Sequence, residues 1–243
     1  MSDRREDELD PELSEWLAGA REEEPPRADY DAMLAGVEAR IAEAERAPTF
    51  WLRTRSTLAR RLLAGIAALV VVLVGGVLLT RRELGAIDPV ELAMAVGALG
   101  ALLGLSVHHA LRPLHRPPLS APARAATIAL TLVATFVLAL LPPHDHAELA
   151  SSPGGLLDHV SPCLFYGLLM GLPVYLVLRL LHRGPSTASL LAACAAGLAG
   201  NLVLSLHCPS SDPTHLMLGH FMVALLFVGG LAAVHLLARA RER

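Results

Sequence analysis

The sequence predicts an all-α, polytopic membrane protein, with six transmembrane helices behind a small helical N-terminal region. Three observations carry that expectation. Of 243 residues, 53% are hydrophobic and 18% charged, with a mean hydropathy of +0.50, where soluble domains carry about 25% charge. Six apolar runs follow one another, each close to the ~20 residues a helix needs to cross a bilayer. The charge is also unevenly divided. Residues 1–61 hold 15 of the 23 carboxylates and 10 of the 20 arginines, a net of −5, whereas 62–243 hold 8 and 10, a net of +2. Together these features exclude a single soluble domain, a disulfide-rich secreted module and a nucleic-acid binder built on a basic patch. The expected partner is the lipid bilayer, with no direct contact to nucleic acid.

Residues 1–50 read as an acidic cytoplasmic head of net −9 (6 Arg, 15 acids), unlike the short basic start and apolar core of a signal peptide. Its first helix opens at Asp10-Pro11-Glu12, a cap residue, a proline at the first helical position and an acid in the first turn. Leu13, Trp16 and Leu17 then form a narrow apolar stripe, and Glu22 to Pro26 ends it. A second helix, near 29–47, carries Tyr30, Met33, Leu34, Val37 and Ile41 on one face. Two helices this short bury no core of their own, and the acids disfavour an anionic membrane surface. The stripes must then pack on each other, on the membrane or on a partner; a protein with a basic, apolar groove is the preferred reading, and a merely solubilising tail with transient helices stands beside it.

Residues 51–61 read as a basic juxtamembrane segment with Phe50 and Trp51 as an interfacial anchor. The six-helix transmembrane domain occupies 62–243, with spans near 62–80, 89–111, 125–142, 160–181, 186–206 and 216–238. Twelve arginines flank the spans on one side and two, Arg81 and Arg82, on the other. The positive-inside rule then places both termini in the cytoplasm. No Asp, Glu or Arg lies near the middle of a span, which argues against an ion or proton pump. Gly100 and Gly104, Gly167 and Gly171, and Ala196 and Gly200 stand four apart, as in close helix packing. Thr127, Thr131 and Thr135 share one face of the third span and read as interhelical glue.

The chemistry collects on the outer face. Cys194 sits midway along the fifth span and reads as a packing residue. The fourth and fifth spans form a hairpin about Arg183-Gly184-Pro185, with Cys163 and Cys208 at 21 and 24 residues from Gly184. At ~1.5 Å per residue they lie within ~5 Å in depth, so antiparallel neighbours could bring them into disulfide range. His144, His146, His159, His207, His215 and His220 gather near them. His159, Cys163, His207, Cys208 and His215 are the candidate ligands for a thiophilic metal ion, since thiolate and imidazole suit zinc or copper. Three readings stand side by side: a structural disulfide, a redox- or metal-responsive thiol pair, and unpaired cysteines.

The run from Ser161-Pro162-Cys163 through Arg179, Arg183-Gly184-Pro185 and the Ala/Gly-rich fifth span to Leu206-His207-Cys208-Pro209 resembles the negative-regulator-of-sigma-F family. These are six-helix anti-sigma factors of the bacterial inner membrane, formerly a domain of unknown function. The likeness covers roughly residues 60–240 and is specific from Cys163 to Cys208. It implies a non-enzymatic transcription regulator that holds an extracytoplasmic-function (ECF) sigma factor at the membrane and releases it on stress. Cys163 and Cys208 would then be the redox or metal sensor. Leu13, Trp16, Leu17, Tyr30, Leu34, Val37 and Ile41 would form the sigma-binding surface, because no Cys precedes 163 and no zinc-binding head motif is present. The competing expectation is a membrane oxidoreductase or a metal-handling protein that uses the outer His/Cys cluster.

Overall fold

The computed structural model describes residues 27–46, 50–78, 88–113, 116–140, 156–182, 188–208, 210 and 212–241. The chain is all-helical, with no strand among the described residues. It divides into two units, Met1–Phe50 and Trp51–Arg243.

In the first unit the described element is helix α1, Arg27–Arg46. Tyr30, Met33, Leu34, Val37 and Ile41 are all exposed along it. Their spacing of three and four residues keeps them on one face. Leu13, Trp16 and Leu17 lie outside the described residues.

The second unit opens with a short helix, α2 (Phe50–Thr54), followed by α3 (Thr57–Leu78), α4 (Pro89–Ala110), α5 (Ala121–Leu140), α6 (Leu156–Leu181) and α7 (Ala188–His207). One turn, α8 (Pro213–Leu216), leads through a π-helical turn at Met217–Phe221 into α9 (Met222–Arg241). Six stretches are long and apolar enough to cross a membrane: Thr57–Gly76, Pro89–Ala110, Ala121–Leu140, Val160–Leu181, Ser189–His207 and Pro213–Ala238.

Four of these stretches begin earlier or later than hydropathy predicts. The first begins at Thr57 and takes in Arg60 and Arg61, residues the sequence assigns to the juxtamembrane segment. Arg60 is buried there because its guanidinium has partners: Nη1 donates to the Leu181 carbonyl at 3.0 Å and Nη2 to Thr57 Oγ1 at 3.2 Å. Arg61 Nη2 donates to the His108 carbonyl at 3.1 Å. The charged heads thus satisfy carbonyls at helix ends, where helices leave acceptors without intrahelical partners. Helix starts also follow their caps. Asp88 accepts from Val90 N at 2.8 Å with Pro89 in the first helical position, which starts α4 where the sequence places it.

The helix at the centre is α7. Every residue from 191 to 204 is buried, and α3, α4, α5, α6 and α9 all pack on it. Its small side chains make this feasible. A Cβ on Gly200 would run into the Gly167 carbonyl oxygen, and one on Gly171 would come 2.6 Å from the Ala196 carbonyl. The α6–α7 contact is therefore backbone against backbone, as the small-residue spacing predicts. Gly100 and Gly104 differ, for a Cβ at either would meet nothing within 4 Å. Among the described residues they play no part in close packing.

The threonine row of α5 is buried. Each hydroxyl donates back to its own helix, Thr127 to Ala123 O, Thr131 to Thr127 O and Thr135 to Thr131 O, each at 2.9 Å. Thr127 Oγ1 also lies 3.0 Å from His109 Nδ1 of α4. Cys194 is fully buried in a small cluster with Ala193 and Val228, consistent with a packing role.

Candidate functional site

Antiparallel spans put the start of α6 and the end of α7 at one end of the bundle, opposite Trp51 and Arg241. Tyr166 on α6 marks that end by donating its hydroxyl to Gly75 O of α3 at 3.3 Å. Cys163 stands in the second turn of α6, half-buried. Cys208 directly follows α7, where its backbone N–H donates to Leu204 O at 2.8 Å and extends the helical ladder by one residue. The chain between them folds into the α6–α7 hairpin, and the Cys163 thiol donates to Cys208 Sγ at 3.7 Å.

The third element is the turn that follows. Asp212 caps α8, its carboxylate accepting from Thr214 N at 3.3 Å and His215 N at 2.9 Å, with Pro213 in the first helical position. The cap fixes His215, whose Nε2 lies 3.2 Å from Cys208 Sγ. Four residues on, Gly219 faces both groups: a Cβ there would make ordinary contact with Cys163 Cβ at 3.4 Å and His215 Nε2 at 3.6 Å. His220 follows, its ring edge-on to His215 with centroids 6.0 Å apart.

The π turn explains how two histidines five apart share a site. In an α-helix a five-residue step turns the side chain about 140° off the starting face. A turn with i→i+5 hydrogen bonds restores the alignment, and such turns recur at functional sites. Here Met217–Phe221 does so.

Cys163, Cys208, His215 and His220 thus form a group whose donor atoms all lie within 4.8 Å of one another and could hold a metal ion. Cys208, His215 and His220 are buried. The Cys208 thiol is held well below the ordinary thiol range, chiefly by the hydrogen bond from Cys163, with burial opposing it and His215 and His220 adding to it. His220 Nε2 is buried with no hydrogen-bond partner among the described residues.

Of the candidate ligands, Cys163, Cys208 and His215 come together. His207 does not join them; its ring packs on Tyr166 with centroids 5.2 Å apart. His159 is in the first turn of α6, and its side chain lies outside the described residues, as do His144 and His146. His220 stands in the sequence cluster but outside the candidate ligands, and the structure adds it to the group.

Chemically, the group can do two things. Its two sulfurs can be oxidised to a disulfide, or its two thiolates and two imidazoles can surround a soft cation. No family model, curated protein or solved structure matches this chain.

Proposed function

We propose that the chain is a membrane-bound anti-sigma factor of the bacterial inner membrane with both termini in the cytoplasm. In this reading its acidic N-terminal segment sequesters an ECF sigma factor, and Cys163 and Cys208 at the outer end of the bundle sense redox or metal stress. The single observation that carries the sensing part is the 3.7 Å approach of the two sulfurs, with a buried histidine 3.2 Å from one of them. The exposed apolar face of α1, flanked by acids, is the supporting observation for the partner.

Oxidation at this pair is simple to balance. Two thiols and one peroxide give one disulfide and two waters, the sulfurs supplying two electrons and two protons. Closing from 3.7 Å to the ~2.05 Å of an S–S bond moves α6 against the end of α7. Because α7 packs on five other helices, that shift has a route through the bundle. It can release a partner only if the two packings bind the partner with different affinity.

The test is co-purification of the full chain with a sigma factor encoded beside it, together with transcription from that factor's promoters. Removing residues 1–50 should free the sigma factor. Unchanged transcription after that truncation sinks the reading. The metal-handling alternative is favoured by the Cys/His group itself, and would show as metal-dependent growth with no effect on transcription.

A further inference from the structure

We infer that Cys163, Cys208, His215 and His220 form a closed Cys2His2 site for one zinc-class ion, with His220 supplied by the π turn as the fourth ligand.

The distances fit this coordination. Zn–S bonds of ~2.3 Å at the tetrahedral angle hold two thiolates about 3.8 Å apart, and a thiolate and an imidazole nitrogen about 3.6 Å apart. The sulfurs stand at 3.7 Å and the Cys208–His215 pair at 3.2 Å. The whole set fits within 4.8 Å, so small side-chain movements complete the tetrahedron. Charge fits too, because two thiolates neutralise a divalent ion and leave a buried site with no net charge. The donors are all sulfur and nitrogen, which disfavours magnesium and calcium.

The independent pointer to a ligand is His220. It is more than nine-tenths buried, and its Nε2 lacks a hydrogen-bond partner among the described residues, a costly arrangement for a polar atom. A metal bond, or the hydrogen bond that fixes a ligating ring, would account for that burial. The π turn, otherwise a cost to the helix, is what aligns His220 with His215. With four protein ligands and no open position, the site is of the structural or sensing kind rather than the catalytic kind.

The regulatory consequence rests on the reading above: a loaded site occupies both thiolates, so oxidation must expel the ion. The binding itself is tested without any transcription readout. Full-length protein in detergent micelles, reduced by a phosphine under nitrogen, is titrated with Co2+ and then Zn2+. The expected result is one equivalent of cobalt, giving intense visible bands and thiolate charge-transfer absorption that zinc bleaches. His220→Ala should weaken cobalt binding by at least ~100-fold, since even outer-shell changes cost ~10–100-fold. His207→Ala should leave it unchanged. Absence of thiolate charge transfer at one equivalent overturns the site, as does undiminished affinity in His220→Ala.

Should His220→Ala fail to fold, wild-type protein decides. Zinc should protect Cys163 and Cys208 from alkylation, read by peptide mass, and equal alkylation with and without zinc overturns the proposal. A chain that binds cobalt but retains no sigma factor overturns the regulatory reading alone, and the converse overturns the metal site alone.

Discussion

The Cys163 thiol of α6 donates to the Cys208 sulfur at the end of α7, 3.7 Å away and 45 residues on in the chain. The two are close enough to bond after a shift of under ~2 Å. Mild oxidation of the purified full chain should therefore remove two hydrogens from the intact mass and join the two peptides. Cys194→Ser should oxidise as wild type does, because Cys194 is buried in a separate cluster. Cys163→Ser should abolish the intramolecular bond. Cross-linking that persists in Cys163→Ser would show that another pair reacts.

The α6–α7 seam rests on missing side chains. Gly200→Ala places a methyl group against the Gly167 carbonyl and should destabilise the bundle by about 1–3 kcal/mol, as overpacking does. Gly100→Ala, with nothing within 4 Å of the added carbon, should be within about 0.5 kcal/mol of wild type. Thermal or detergent-denaturant unfolding of the two variants side by side checks this.

At the other end of the bundle, Arg60 joins the start of the first span to the end of the fourth through the Leu181 carbonyl. Arg60→Ala should cost about 1.5–3 kcal/mol, the range for hydrogen bonds made by charged groups. Arg60→Lys should recover only part of that, since an ammonium lacks the planar fork that reaches Leu181 and Thr57 together. Stability equal to wild type in Arg60→Ala would mean that water replaces the guanidinium at no cost.

The apolar face of α1 should separate binding from folding. Val37 and Ile41 are about half exposed, at 48% and 52%, so Val37→Asp and Ile41→Asp should leave unfolding of the chain unchanged within about 0.5 kcal/mol. If this face holds the sigma factor, each should weaken retention by about 30-fold, the effect of a ~2 kcal/mol hot spot. Pull-down at graded sigma concentrations measures it, and retention equal to wild type moves the contact elsewhere.

The membrane architecture was legible because crossing a bilayer is a requirement on each segment separately. About twenty apolar residues satisfy it whatever their neighbours do, and all six spans lie within a few residues of where hydropathy puts them. The ends moved for local reasons that hydropathy does not weigh, such as Arg60 finding helix-end carbonyls. The depth match of Cys163 and Cys208 was legible as well, because a tight hairpin converts residue counts into height.

Which span lies at the centre was a tertiary matter. The most buried one, Ser189–His207, has the lowest hydropathy of the six, 1.8 against up to 2.3. In a bilayer lipid is as apolar as leucine, so the interior position goes to the helix others can approach closely, and its Ala and Gly content counts for more than its hydrophobicity.

The sequence by itself determined that the chain is a six-span membrane protein with an acidic head, and that Cys163, Cys208 and several of its histidines gather at one level. Those are properties of composition and spacing along single helices. Only the tertiary structure decided which histidines meet the cysteines. Tyr166 takes His207, the Asp212 cap sets His215, and a π turn swings His220 inward beside Gly219. Each depends on a neighbouring helix or a break in helical register, and α-helical spacing carries no trace of either.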